Sequence, residues 1–182
     1  MRPEPATEGR LGPRFAAPLA VASGVFALDQ TTKLLVRTHL GLHESIPVFD
    51  GFMNVVYARN PGAAFSLLAD APAWFRAPFF VGITAIAIVV VLYALARMPP
   101  EDRLMRLALG AVLGGALGNL LDRLVYGEVI DFIDVYWRSH HWPAFNVADS
   151  SITVAVTAVI VQSLFLGSSE SRPTSTSHGP PS

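Results

Sequence analysis

The fold class this sequence predicts is a membrane all-α protein, four transmembrane helices with a small extracytoplasmic β-hairpin and loop cap. Three observations predict it. Of the 182 residues 52% are hydrophobic and only 15% charged, an imbalance past the usual soluble composition. Four apolar segments, about residues 15–36, 77–96, 104–125 and 147–167, each approach the length that a hydrocarbon core requires, roughly 20 residues. An Asp50-Gly51 pair stands between two β-prone runs in the long connection after the first segment.

Taken in order, residues 1–14 offer little to pack and are expected to be a flexible tail, as are the Ser/Thr/Pro-rich residues 168–182. Between them lies one membrane domain, 15–167. Its first apolar run leads into Asp29-Gln30-Thr31-Thr32-Lys33 rather than a small-residue cleavage site, so it reads as a retained span. The connection over 37–76 forms the cap. In it Ile46-Pro47-Val48-Phe49 and Phe52-Met53-Asn54-Val55-Val56-Tyr57 flank the Asp-Gly turn, and Pro47 confines the first strand to an edge. Next come Asn60-Pro61-Gly62 and an apolar stretch ending near Trp74-Phe75, which is expected to lie along the interface as an aromatic anchor. The second span is uncharged. A short connection, 97–103, makes the second and third spans antiparallel neighbours. Gly110, Gly114 and Gly118 recur every four residues on the third span, a stripe whose plain reading is close helix packing.

Arg2, Arg10, Arg14, Arg97, Arg103 and Arg106 favour the N-terminus and the 97–103 connection in the cytoplasm, against Arg37, Arg59, Arg76 and Arg138 on the other side. An even number of spans then returns the C-terminus to the cytoplasm. In this orientation Asp29 and Lys33, Asn119, Asp122 and Arg123, and Asn146 and Asp149 all fall at one level near the outer face. Ionisable groups at membrane depth are costly and turn toward a bundle interior, so their convergence marks a candidate site.

The residue inventory excludes several chemistries. With no cysteine, disulfides, thiolate nucleophiles and Cys-based zinc sites are out. A net charge of -1 with no dense basic run gives no footprint for nucleic acid. His39, His43, His140, His141 and His178 make no metal-ligand pattern, so neither a metal nor a cofactor is expected. Trp137 and Trp142 suit an interfacial belt. What remains is a set of acids. Asp131 and Asp149 are eighteen residues apart with Pro143 between them, so they cannot share one helix, but a re-entrant loop would bring them together. Two carboxylates sharing one proton can activate water and protonate a leaving amine. Spacing alone leaves that open.

Five motifs in order carry a resemblance. Asp29-Gln30-x-x-Lys33, Asn60-x-Gly62-Ala63-Ala64-Phe65, the run from Gly114 to Arg123, Val129-Ile130-Asp131-Phe132 and Phe145-Asn146-Val147-Ala148-Asp149 resemble the motif set of lipoprotein signal peptidase, or signal peptidase II. The likeness covers about residues 24–167. It implies an aspartyl endopeptidase of the bacterial cytoplasmic (inner) membrane that cleaves diacylglyceryl-modified prolipoproteins before the lipidated cysteine. It also implies that Asp131 and Asp149 are catalytic, with Asn119, Arg123 and Asn146 contacting substrate. Membrane lipids are the other expected partners, and the bundle is expected to work as a monomer.

Structural roles are set beside these. Asp29 and Lys33, at i,i+4, suit a helix ion pair. Asn60 suits the Asn-Pro-Gly turn, Asp122 an ion pair with Arg123, and Asp134 a framework role. Three rival functions are weaker. A Ser/Lys peptidase would use Lys33, the only lysine, with Ser66, Ser150 or Ser151, but Asp29 would keep that lysine charged. A magnesium-dependent headgroup transferase would use Asp131 and Asp134, and lacks a larger acidic cluster. A translocator through Asp29, Asp122 and Asp149 needs polar residues at all depths, whereas the inner halves of the spans are apolar apart from terminal arginines.

Overall fold

In hydrocarbon a chain segment must satisfy its own backbone hydrogen bonds, so a long uncharged run has little alternative to a helix. Among the described residues there are four: α1 (Pro13–His39), α2 (Ala73–Arg97), α3 (Arg103–Tyr126) and α4 (Val147–Leu166). All four are long and apolar enough to cross a membrane. This is a computed structural model, and it describes residues 13–62, 68 and 71–166. The C-terminal tail, all but the last two residues of the N-terminal one, Ala63-Ala64-Phe65 and Ser66 lie outside the described residues. α1 begins two residues ahead of the expected span. α2 begins four residues ahead, and takes in Trp74 and Phe75 as its first turn rather than leaving them in a separate stretch. Phe75 stacks on Phe79 with ring centroids 5.5 Å apart, one helical turn on.

α3 is the central helix and packs against α1, α2 and α4. Its glycines explain how. A β-carbon at Gly110 would collide with Pro18, one at Gly114 with Ala22, and one at Gly118 with the Asp29 carboxylate, so the two backbones touch along a parallel crossing. Gly115 faces the other way, and a β-carbon there would lie 2.7 Å from the Ala148 carbonyl of α4. By contrast α2 leaves Ile83, Ile86, Val89 and Val90 exposed, the face a lipid-bathed helix presents. α3 is capped at its start by Asp102, which accepts from Met105 N at 3.2 Å. It stops at Gly127, whose φ of 75° turns the chain out of the helix without the strain a β-carbon would cause.

The cap is a four-stranded antiparallel sheet in the order β1 (Ser45–Phe49), β2 (Met53–Asn60), β3 (Val129–Trp137), β4 (His140–His141). The Asp50-Gly51 hairpin forms, and Pro47 lies on the edge strand, where its missing N–H costs no ladder bond. A re-entrant loop around Asp131, one way of bringing it to Asp149, does not form. Val129-Ile130-Asp131-Phe132-Ile133-Asp134-Val135 is rich in β-branched residues and pairs along the open side of β2, with Asn60 opposite Val129 and Ala58 opposite Asp131. The sheet therefore draws on both connections at its end of the bundle. Val36 and Leu40 at the end of α1 pack with Tyr57, Ile130 and Phe132 beneath it. Full burial of such a side chain is worth about 1.5–3 kcal/mol, so this cluster seats the sheet firmly on the helices.

Candidate active site

Parallel α1 and α3, antiparallel α4 and the first residues of β3 meet just below the sheet, and every polar residue singled out in the spans is there. At the bottom sits Lys33. Its ammonium is 2.8 Å from both Asp29 and Asp122, and donates to Asn119 Oδ1 at 3.0 Å. All three N–H bonds are thereby used, in a position only 1% exposed. The i,i+4 pair with Asp29 is as expected. Asp122, however, pairs with Lys33 and not with Arg123, because its place on α3 turns it inward toward α1. It also accepts from Ile130 N at 3.1 Å, which ties the start of β3 to the helices. Asp29 reaches the other element, accepting from Ala148 N at 2.9 Å in the first turn of α4.

Above Lys33 two asparagines relay this framework to two aspartates. Asn119 accepts from Asn146 Nδ2 at 3.2 Å and donates to Asp149 Oδ1 at 2.8 Å. Asn146 donates from the same amide nitrogen to Asp131 Oδ1 at 2.7 Å, and from its backbone N–H to Asp149 Oδ2 at 3.3 Å. Asp149 N returns a bond to Asn146 Oδ1 at 2.9 Å, a cap on the first turn of α4. One residue thus touches both carboxylates. Asn60 does two things: its Oδ1 accepts from Gly62 N at 3.0 Å, shaping the turn as expected, while its Nδ2 donates to Asp131 Oδ2 at 3.0 Å.

Asp131 is 2% exposed. Burial, and next the charge of Asp149, raise its pKa from 3.8 to about 7, against the pull of the Asn60 and Asn146 hydrogen bonds and of Lys33. Charge balance points the same way, since Asp29, Asp122, Asp131 and Asp149 outnumber Lys33 and Arg123. A proton retained by the aspartate pair near neutral pH relieves that excess.

A cavity of about 560 Å³ opens beside the pair, lined by Asp149, Asn119, Arg123, Asn60 and Gly62 on its polar side and by Val129, Trp142, Phe145, Ile152 and Val154 among its apolar walls. Asp149 is half-buried and borders the cavity, whereas Asp131 stands behind Asn60 and Asn146. Arg123 donates to Asn119 O at 3.4 Å and to Gly62 O at 3.2 Å, with its guanidinium 5.2 Å from the Phe80 ring centroid. A planar cation is thus held at the rim with N–H bonds to spare.

The described residues that the Ser/Lys and magnesium readings needed are otherwise employed, Ser66 lying outside them. Lys33 has no free N–H bond to serve a serine. Ser150 donates to Asn146 O at 2.9 Å and Ser151 to Ala148 O at 2.8 Å, ordinary back-bonds within α4. Asp134 turns away from Asp131, accepting from Asn54 at 2.9 Å and facing His141 at 2.8 Å, so the two acids are not joint ligands. His141 is therefore a partner within the sheet, and stacks on Tyr136 with centroids 5.0 Å apart. Sequence reasoning assigned no role to Gln30, yet its amide bridges Asp29, Gly118 O and Asp122 at 3.1–3.2 Å. Phe80 was missed too, since nothing about a phenylalanine in an apolar span marks it as a shelf for an arginine.

Comparisons with known proteins identify the family. A family model described as signal peptidase (SPase) II matches residues 21–165. Proteins named lipoprotein signal peptidase are similar to the chain, one from Syntrophus aciditrophicus (strain SB) at 51% identity over 79% of this chain and 89% of that protein. Another, from Geobacter sulfurreducens, is 48% identical over 78% of this chain and 88% of its own length. A solved structure described as a bacterial membrane enzyme superposes with a TM-score of 0.75 at 32% identity, covering 85% of this chain and 91% of that one.

Proposed function

Because the chain belongs to the signal peptidase II family, a premise that makes it a membrane protease removing signal peptides from prolipoproteins, we propose that Asp131 and Asp149 carry the cleavage. The observation that carries this reading is buried Asn146, whose amide hydrogen-bonds Asp131 while its backbone N–H meets Asp149, beside a cavity that Asp149 and Arg123 line.

The reaction follows from the different surroundings of the two acids. Asp149 borders the cavity, where it can meet water, which suits the role of the ionised partner. Asp131 is buried and keeps a proton to about pH 7. The ionised carboxylate takes a proton from water, whose oxygen attacks the scissile carbonyl carbon. As the tetrahedral intermediate collapses, the carbon–nitrogen bond breaks and the neutral acid protonates the departing nitrogen, leaving one proton on the pair as before. Arg123 stabilises the developing oxyanion with the N–H bonds it does not spend on Asn119 and Gly62. Lys33, Asp29, Asp122 and Gln30 hold this arrangement without touching substrate, and Asn60 holds Asp131 from the cavity wall.

Cleavage falls immediately before a diacylglyceryl-modified cysteine. The apolar cavity walls and the exposed apolar helix faces suit acyl chains, and each methylene buried contributes about 0.8 kcal/mol toward holding the bond at the depth of Asp149. The pair works in the bacterial inner membrane near its outer face, with both termini in the cytoplasm, and a single chain supplies every residue of the site. The test uses purified protein with a diacylglyceryl-modified precursor and the same precursor unmodified. Release of signal peptide from the lipidated form alone is expected, unchanged by a chelator. Equal cleavage of both forms, or loss of activity on chelation, would refute the reading.

A further inference from the structure

At the far end of the bundle from the aspartates, the start of α1 meets the start of α3 around a recess of about 250 Å³. It is lined by Arg14, Arg103 and Arg106 together with Pro18, Pro100 and Leu107. Three guanidinium groups border one small cavity, and among the described residues no carboxylate pairs with any of them. The nearest acid in sequence, Asp102, is spent on Met105 N at 3.2 Å and Gln162 Nε2 at 3.1 Å. Arg106 is the telling one, at 4% exposure. Its N–H groups go to neutral carbonyls: Met98 O at 3.1 Å and Leu95 O at 3.5 Å at the end of α2, and Arg14 O. Those carbonyls orient the guanidinium, but they do not neutralise it. A buried charge without a counter-ion is unfavourable, so an anion in the recess would complete what the chain leaves undone.

The recess sits where helices that span a membrane begin, at the level of phosphate headgroups, and its walls combine planar forks suited to phosphate oxygens with proline and leucine suited to a glycerol backbone. Basic pockets between membrane helices are sites of this kind. We propose that Arg14, Arg103 and Arg106 form a binding site for the phosphate headgroup of an anionic phospholipid, on the face opposite the catalytic pair. The shared chemistry with a free anion is the phosphate, and the position among membrane helices assigns the lipid.

Native mass spectrometry of the full chain in a neutral detergent tests this, with phosphatidylglycerol, phosphatidylcholine and inorganic phosphate as separate probes. Retention of phosphatidylglycerol over phosphatidylcholine is expected, with no displacement by inorganic phosphate at equal concentration. The double variant Arg14→Gln/Arg103→Gln alters two exposed side chains and keeps buried Arg106, so it retains the fold. Its affinity for phosphatidylglycerol should fall about thirtyfold, the factor set by two basic groups near the surface. Arg138→Gln, in the turn between β3 and β4 at the other end, should leave it unchanged. Equal retention of the two lipids, wild-type affinity in the double variant, or occupancy by inorganic phosphate in place of lipid would each overturn the assignment. The readout is lipid occupancy and not cleavage, so its outcome is separate from that of the aspartate mechanism.

Discussion

The difference between two chemically identical side chains is what this site turns on. Asp131→Asn and Asp149→Asn should each lower turnover by about 10⁴-fold or more, and the double variant should be scarcely worse, since the pair acts as one unit. A single-turnover cleavage assay reads this directly. The shared proton also predicts a pH profile. Folded, Asp131 holds its proton to about pH 7, while the unfolded chain releases it near 3.8. Between those values the folded state binds more protons, so this group's stabilising contribution is complete at low pH and is lost as pH rises through 7. Wild-type Tm in detergent should therefore fall between pH 5 and 8 by more than that of Asp131→Asn, and cleavage should decline above pH 7. Parallel Tm curves for the two proteins would argue against the assignment. Arg123→Lys should lose about 10²-fold in turnover with an unchanged Tm, because an ammonium cannot hold Asn119 O, Gly62 O and an oxyanion in one plane.

Among the elements, the α1–α3 crossing is the most exacting. Gly118→Ala would drive a methyl group into the Asp29 carboxylate, which is already fixed by Lys33 and Ala148 N. The expected cost is about 1–3 kcal/mol with loss of activity, seen as a lowered Tm. Lys33→Met should cost more, about 3–5 kcal/mol, since it strands Asp29 and Asp122 as buried charges. The spans, the Asp50-Gly51 hairpin and the convergence of polar residues at one depth were legible because period, length and charge are local properties of a sequence. Asp122 was not, since which of Lys33 and Arg123 it would meet depends on the rotation of α3 against α1. Nor was β3: seven residues over 129–135 read equally as loop or strand until β2 is known to offer them an open edge. The dual role of Asn60 escaped for the same reason, as its contact with Asp131 exists only once that edge is filled.

For the molecule as a whole, orientation in the membrane is the prediction that follows from its charges. Cysteines introduced at Glu101 should be labelled only from the cytoplasm, and at Asp50 or His140 only from outside. Labelling of position 101 from outside would invert the bundle. The bond from Ala148 N to Asp29 has a consequence for how the enzyme comes into being. Asp29 lies in α1 and Ala148 in α4, so a ribosome delivers Asp29 well before its donor. Until α4 arrives, the chain lacks Asp149 and the Asn146 amide that reaches Asp131, and Asp29 waits without its backbone donor. On the proposed mechanism the first three helices alone can cut nothing, and proteolytic competence begins when α4 arrives. A protease that works in the membrane of its own assembly would in this way be inert while its synthesis is unfinished.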